Sequence, residues 1–228
     1  MDWTESVDGY CERLGPGLWA EPLNALTNLA FIAAALWVWP RVKGMPTGHV
    51  LAALLFVIGV GSGLFHTLAN RWSGLADTLP ILLFILAYIF AATRDFLDRP
   101  GWQAGLVTVA FLPLAALTAP LFARLPLYGA SAGYMPVPVL IAVYAVILRR
   151  RAPGTARGLA FGAALLLLSL TFRSLDMPLC AATGGLGTHT MWHLLNAVML
   201  GWMIEVWRRH VMAGQSGPHL LAGKARGR

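Results

Sequence analysis

The stretch LAALLFVIGVGSGLFHTLANRWSGLADTLPILLFILAYIF, residues 51–90, contains two long apolar runs joined by a short polar junction. A transmembrane helix needs about 20 mostly apolar residues, and each run belongs to a segment of that length. The junction, residues 62–77, carries Ser62, His66 and Asp77, and ionisable groups are costly to place in lipid. The stretch therefore predicts two membrane-spanning helices with polar side chains where they meet.

The rest of the chain continues this pattern. Hydrophobic residues make up 57% of the sequence and charged residues 12%, against about 25% charged in soluble domains. We therefore predict an all-α fold, a seven-transmembrane helix bundle. Its arm at residues 1–21 is acidic, its catalytic membrane domain spans residues 22–207, and its basic cytoplasmic tail, residues 208–228, is expected to be disordered. The seven predicted spans are 22–39, 48–68, 77–93, 102–122, 127–148, 156–173 and 188–207.

The distribution of charge predicts the orientation of these spans. With the N-terminus outside, thirteen of the 17 Lys and Arg residues fall on the inner side, and positive charge concentrates on the cytoplasmic side of membrane proteins. We expect an N-terminus on the periplasmic or lumenal side and a cytoplasmic C-terminus. Seven of the ten carboxylates then lie outside, so the polar chemistry is expected there.

The net charge of +7 is interpreted as a topology signal and as attraction to anionic lipid headgroups, not as nucleic-acid binding. The expected location is the bacterial inner membrane, as a multi-pass protein with its polar chemistry towards the periplasm. The expected partner at this point is the bilayer, and the oligomeric state is left open.

This topology places four ionisable side chains at one membrane depth. His66 and Asp77 flank the first junction, and His189 and His193, four residues apart, share one face of the last span. Three histidines predict a catalytic zinc ion, which activates water near neutral pH. Asp77 would then accept a proton from the attacking water, and Ser62 would donate a hydrogen bond to the developing oxyanion.

Simpler interpretations stay open for each residue. A histidine in a span also serves as a hydrogen-bonded packing residue, and Asp77 also suits the N-cap of the third span. Ser62, between two glycines, also suits close helix packing. Arg173 and Asp176 are expected to pair at i, i+3, with contact to a lipid headgroup as the alternative. Bis-histidine ligation of heme is a further possibility for the histidines, but three histidines with a carboxylate favour hydrolytic zinc.

These residues resemble a known family. Ser-x3-His, an Asp eleven residues later and a late His-x3-His are similar to the alkaline ceramidases and to the wider superfamily of seven-span hydrolases that includes the adiponectin and progestin receptors. The segment DGYCERLGPGLWAEPLNALTN, residues 8–28, resembles the N-terminal segment of ceramidases through Cys11-Glu12, Ala20-Glu21, Asn24 and Asn28.

The resemblance implies hydrolysis of the amide bond of ceramide, or of a related N-acyl lipid, to a fatty acid and a sphingoid base. It implies zinc held by His66, His189 and His193, with Ser62 and Asp77 catalytic. It also implies a calcium ion held by three acidic residues: Asp8, Glu12 and Glu21. The sequence departs from the family pattern in that segment, with Gly9-Tyr10 where a single Trp is expected and Leu14 where an Asn is expected.

The same resemblance pairs Cys11 with Cys180, which we expect to form a disulfide on the outer side, where disulfides persist. Other functions remain to be weighed against an enzyme. One is an adiponectin-receptor-like lipid receptor or sensor, and a less favoured one is a non-enzymatic heme or transport protein.

Overall fold

The structure, a computed structural model, describes residues 2–15 and 17–215, and the regular elements in these ranges are helices. The predicted all-α class is therefore confirmed. Two 3₁₀ turns, Trp39–Val42 and Gly129–Ser131, supplement the α-helices. The α-helices of the described ranges are α1 Pro22–Thr27, α2 Leu29–Val38, α3 Pro46–Leu68, α4 Arg71–Phe96, α5 Gly101–Phe122, α6 Pro136–Leu148, α7 Pro153–Leu175 and α8 His189–Gln215.

Several of these helices are long and apolar enough to cross a membrane. Five segments meet that condition: Pro22–Val42, which contains α1 and α2, and the helices α3, α4, α5 and α7. The chain is thus a multi-pass membrane protein by length and composition. Helix α6 is shorter than the predicted span 127–148 because Pro136 begins it and a proline is well placed only in the first helical turn. Helix α8 has 27 residues and carries polar side chains, so its apolar run is interrupted. Seven spans and their orientation stay predictions.

Helix α4 begins earlier than its apolar run predicts. The chain turns at Ala69, whose φ is 40°, and the Asn70 side chain accepts a hydrogen bond from the Ser73 amide at 3.1 Å. This capping box satisfies amide groups of the first turn and starts the helix at Arg71. Asp77 therefore lies inside α4, and the N-cap interpretation of Asp77 is wrong.

Close packing of α3 and α4 brings the polar junction together. Gly61 lies against the backbone of Ala76, and a Cβ at Gly61 would overlap the Ala76 carbonyl. Only glycine allows this approach, and it places the next residue, Ser62, beside Asp77. On its other faces α3 packs against α2 and α8, with Leu55 and Ile58 in the buried core.

The N-terminal arm, described at residues 2–15 and 17–21, covers the end of the bundle at which α3 ends and α4 and α8 begin. We call this end the arm end. The Val7 amide donates to the Ala69 carbonyl at 2.8 Å, and the Trp72 amide donates to the Trp3 carbonyl at 3.1 Å. A disulfide joins Cys11 to Cys180 in the loop between α7 and α8, with an S–S distance of 2.12 Å. The predicted pairing is confirmed.

Asp176 has a different role from the one predicted. Its Oδ1 accepts from the amides of Thr188 and His189 at 2.8 and 2.9 Å, and its Oδ2 accepts from the amide of Cys11 at 2.9 Å. Arg173 instead donates to Ser131 Oγ at 3.3 Å. The predicted Arg173–Asp176 pair is wrong because three backbone amides of the arm and of the start of α8 occupy the carboxylate.

The beginning of the predicted tail is helical. Helix α8 continues to Gln215, and Arg208 and Arg209 both bond Glu205 at 2.7 Å from positions one turn further on. Such i, i+3 and i, i+4 pairs favour the helix, so residues 208–215 are not the start of a disordered segment. The remainder of the predicted tail, residues 216–228, lies outside the described residues.

Candidate metal centre

Three histidines converge at the arm end. His66 comes from the last turn of α3, and His189 and His193 come from the first two turns of α8. One ring nitrogen from each lies within 4.8 Å of the others, and each residue is 1% exposed. Within residues 2–15 and 17–215, this is the one group of three or more His, Cys, Asp or Glu residues so arranged. The predicted convergence is therefore present in the fold.

Each of these histidines has a buried nitrogen without a hydrogen-bond partner. These atoms are Nε2 of His66, Nδ1 of His189 and Nε2 of His193. Burying a polar atom without a partner costs free energy, and native structures seldom leave such atoms unsatisfied. Each of the three histidines thus buries an unpartnered nitrogen and also brings one ring nitrogen to the same small region, which favours a shared ligand such as a metal ion. The donor set fits zinc, whose catalytic sites include three histidines with one open position.

The opposite ring nitrogens of two histidines are held by the chain. His66 Nδ1 lies 2.5 Å from Glu21 Oε2, and His193 Nδ1 lies 2.9 Å from Thr27 Oγ1. Bonds of this kind fix the tautomer and the ring orientation of metal-ligating histidines. In both His66 and His193 the other ring nitrogen, Nε2, is the buried atom without a hydrogen-bond partner.

Glu21 is itself part of a buried network. Its Oε1 accepts from Arg13 Nε at 2.5 Å, and its Oε2 also accepts from Asn24 Nδ2 at 3.2 Å. Burial opposes ionisation of Glu21, but the hydrogen bonds from His66, Arg13 and Asn24 outweigh it and hold its pKa below the usual range. Glu21 is therefore an ionised carboxylate behind His66.

Ser62 and Asp77 lie beside the histidines, as the sequence predicted. Ser62 is 4% and Asp77 9% exposed, and the Ser62 side chain lies near the Asp77 carboxyl group. Ser62 lies one helical turn before His66 on α3. The structure thus brings together the five residues predicted for hydrolysis, in one buried cluster.

A tyrosine of the arm completes the cluster. The Tyr10 ring lies 3.9 Å from the His189 ring and 5.1 Å from the His66 ring, between centroids. Burial raises the pKa of Tyr10 to about 12, so its phenol stays neutral at physiological pH. Sequence reasoning noted Tyr10 only as a departure from a pattern, because nothing in an irregular arm shows which side chain turns inward.

The sequence model of the family described as Ceramidase matches residues 8–221. The chain belongs to the ceramidase family. Comparison with curated proteins gives no match. Membership implies a hydrolase with a lipid substrate in a membrane, and the match covers the arm from Asp8 onward, the three histidines and every described helix.

The residues that the family resemblance assigned to calcium have other partners or are exposed in this ceramidase fold. Asp8 is exposed, whereas both oxygens of Glu12 accept backbone amides at the start of α1, from Leu23 at 2.7 Å and Asn24 at 2.8 Å. Glu21 binds Arg13, His66 and Asn24, as described above. The calcium assignment stays a prediction.

An apolar cavity lies next to the metal centre, among α3, α4, α6, α7 and α8. Its accessible volume is about 60 Å³, below the roughly 300–1,000 Å³ of typical ligand sites. Trp192 and Asn196, on either side of His193 along α8, form one part of its wall, and Phe84 and Leu200 form another. The Asn196 Oδ1 atom is buried there without a partner. Its apolar lining suits contact with part of a hydrocarbon chain that carries a polar group close to the histidines.

Proposed function

We propose that this ceramidase-family chain is a zinc-dependent amidohydrolase that cleaves ceramide or a related N-acyl lipid to a fatty acid and an amine. The observation that carries the proposal is the set of three unpartnered nitrogens on His66, His189 and His193. They lie beside a carboxylate and an apolar cavity. A hydrolytic metal centre explains all three features together.

The reaction adds water to the amide carbon, breaks the C–N bond and moves one proton from the water to the leaving nitrogen. A zinc ion held by the three imidazoles would polarise the carbonyl oxygen and acidify the attacking water. Asp77, buried next to His66, accepts the proton from water and returns it to the leaving amine. The Ser62 hydroxyl hydrogen-bonds the Asp77 carboxyl group or donates to the oxyanion as charge develops there.

Other residues of the chain orient this machinery. Glu21 and Thr27 hold the rings of His66 and His193, so that both present Nε2 to the same point. The Tyr10 ring packs on His189 from the arm side, which excludes bulk water from that face. A dry site strengthens each electrostatic interaction within it.

The proposed position of the metal centre in the membrane suits a lipid substrate. An acyl chain enters the apolar cavity between Phe84 and Leu200 as its lining side chains move apart, and the amide then lies at the histidines. With the N-terminus outside, the centre lies at the outer boundary of the inner membrane, on the periplasmic side. That position allows a lipid to keep its headgroup in water while its amide bond reaches the metal.

A panel of N-acyl lipids tests the proposal. Detergent-solubilised protein is incubated with ceramides of several acyl lengths and with other N-acyl lipids, and fatty acid release is measured. We expect release by the wild type, none by His193→Ala and unchanged release by His49→Ala. His49 is the matched control because it packs edge-to-face against Trp39 and belongs to the first turn of α3, at the opposite end from His66. Release that persists in His193→Ala refutes the metal mechanism.

A further inference from the structure

A buried arginine lies directly behind the metal centre. Arg13 is 6% exposed, and its Nε bonds Glu21 Oε1 at 2.5 Å. Its two terminal nitrogens donate to backbone carbonyls, Nη1 to Gly15 at 3.1 Å and Nη2 to His66 at 3.4 Å. The guanidinium is therefore surrounded by one carboxylate and two carbonyl oxygens.

This is the kind of oxygen set that calcium takes in proteins, and the family resemblance places calcium in the same segment. The acidic residues of the segment do not fit the ion as they are folded here. Both oxygens of Glu12 accept backbone amides, both oxygens of Glu21 are bonded by side chains, and Asp8 is exposed. Calcium needs six to eight oxygen ligands, so it would have to displace these partners.

We infer that the Arg13 guanidinium is the resident cation of this site and takes the place of calcium. It carries the positive charge that Glu21 needs when buried, and it links the arm to the end of α3 through the His66 carbonyl. Arg13 is thus a positioning residue that acts through Glu21 on His66. Because this cation is part of the chain, the order of the arm does not depend on calcium. The inference is independent of the reaction that the centre catalyses.

Thermal unfolding of the full-length wild-type protein in detergent is the first test of whether the arm depends on calcium. Protein prepared in calcium-free buffer is titrated with CaCl₂ or MgCl₂, and Tm is followed by tryptophan fluorescence. A ligand that binds the folded state raises Tm by mass action, so we expect the same Tm in both salts. A rise of several degrees with CaCl₂ but not with MgCl₂ overturns the inference.

Two arginine variants form the second part of the experiment. Arg13→Ala leaves the Glu21 charge buried without its partner, and we expect Tm to fall by roughly 10 °C. Arg71→Ala is the control, because Arg71 pairs with Glu5 at 2.7 Å but is 42% exposed, and such surface pairs contribute little. We also expect CaCl₂ to raise the Tm of Arg13→Ala, since the freed carboxylate and carbonyl oxygens, with water as the remaining ligands, are then open to an ion.

The inference is wrong if Arg13→Ala and Arg71→Ala have the same Tm, or if CaCl₂ leaves the Tm of Arg13→Ala unchanged. If Arg13→Ala yields no folded protein, the calcium titration of the wild type decides alone. Neither readout uses fatty acid release, so a failure here is distinguishable from a failure of the proposed function.

Discussion

Replacing Thr27 with valine tests how the chain prepares His193 for the metal. The Thr27 hydroxyl lies 2.9 Å from the Leu23 carbonyl and 3.1 Å from the Asn24 carbonyl, as well as 2.9 Å from His193 Nδ1. Its single hydrogen goes to a backbone carbonyl, so its oxygen accepts from Nδ1–H. That bond fixes the tautomer in which Nε2 keeps a lone pair. Valine has nearly the same shape but removes the acceptor.

Losing such an orienting bond typically weakens metal binding by about 10- to 100-fold, or roughly 1.4–2.8 kcal/mol. We expect Thr27→Val to show this loss of zinc affinity, measured by competition with a chelator of known affinity. Thr27→Ser keeps the hydroxyl and is expected to bind zinc like the wild type. Unchanged affinity in Thr27→Val, or an equal loss in both variants, contradicts the proposed role of the hydroxyl.

Three further changes test other parts of the account. Asp77→Asn is expected to lower kcat about 10²- to 10⁴-fold with zinc content unchanged, because it removes the proton acceptor; a rate within threefold of wild type argues against this. Leu200→Trp narrows the apolar cavity, so hydrolysis of long acyl chains is expected to fall more than that of short ones; an unchanged chain-length profile rejects the cavity as the acyl site. Gly61→Ala forces a Cβ against the Ala76 carbonyl and is expected to lower the free energy of unfolding by about 1–3 kcal/mol. Its Tm should then be lower than that of the control Gly105→Ala, whose added Cβ meets nothing within 4 Å. Equal Tm values speak against tight α3–α4 packing.

The convergence of the three histidines was largely predictable from the sequence. The spacing of His189 and His193 places them on one helix face. Because successive spans cross the membrane in opposite directions, the end of the second span, with His66, lies on the same side as the start of the seventh. The start of α4 was not predictable from hydropathy, because residues 71–76 are mixed in polarity and the helix begins at the Asn70 cap.

The surroundings of the centre were harder to predict because they depend on the arm. Residues 2–21 have no hydrophobic period, and their positions follow from backbone bonds to residues 69–72 and from the Cys11–Cys180 disulfide. The inward turn of Tyr10 and the burial of Arg13 are tertiary consequences of those restraints. The Arg173–Asp176 pair failed for a similar reason, since local spacing cannot show that three backbone amides compete for the carboxylate.

The metal content of the purified protein tests the central claim most directly. Elemental analysis of the wild type is combined with its visible absorption spectrum, with His66→Ala and His49→Ala measured alongside. The account predicts one zinc ion per chain in the wild type and in His49→Ala, none in His66→Ala, and no heme absorption in any of them. A Soret band without zinc, or zinc that is retained in His66→Ala, contradicts the proposed centre.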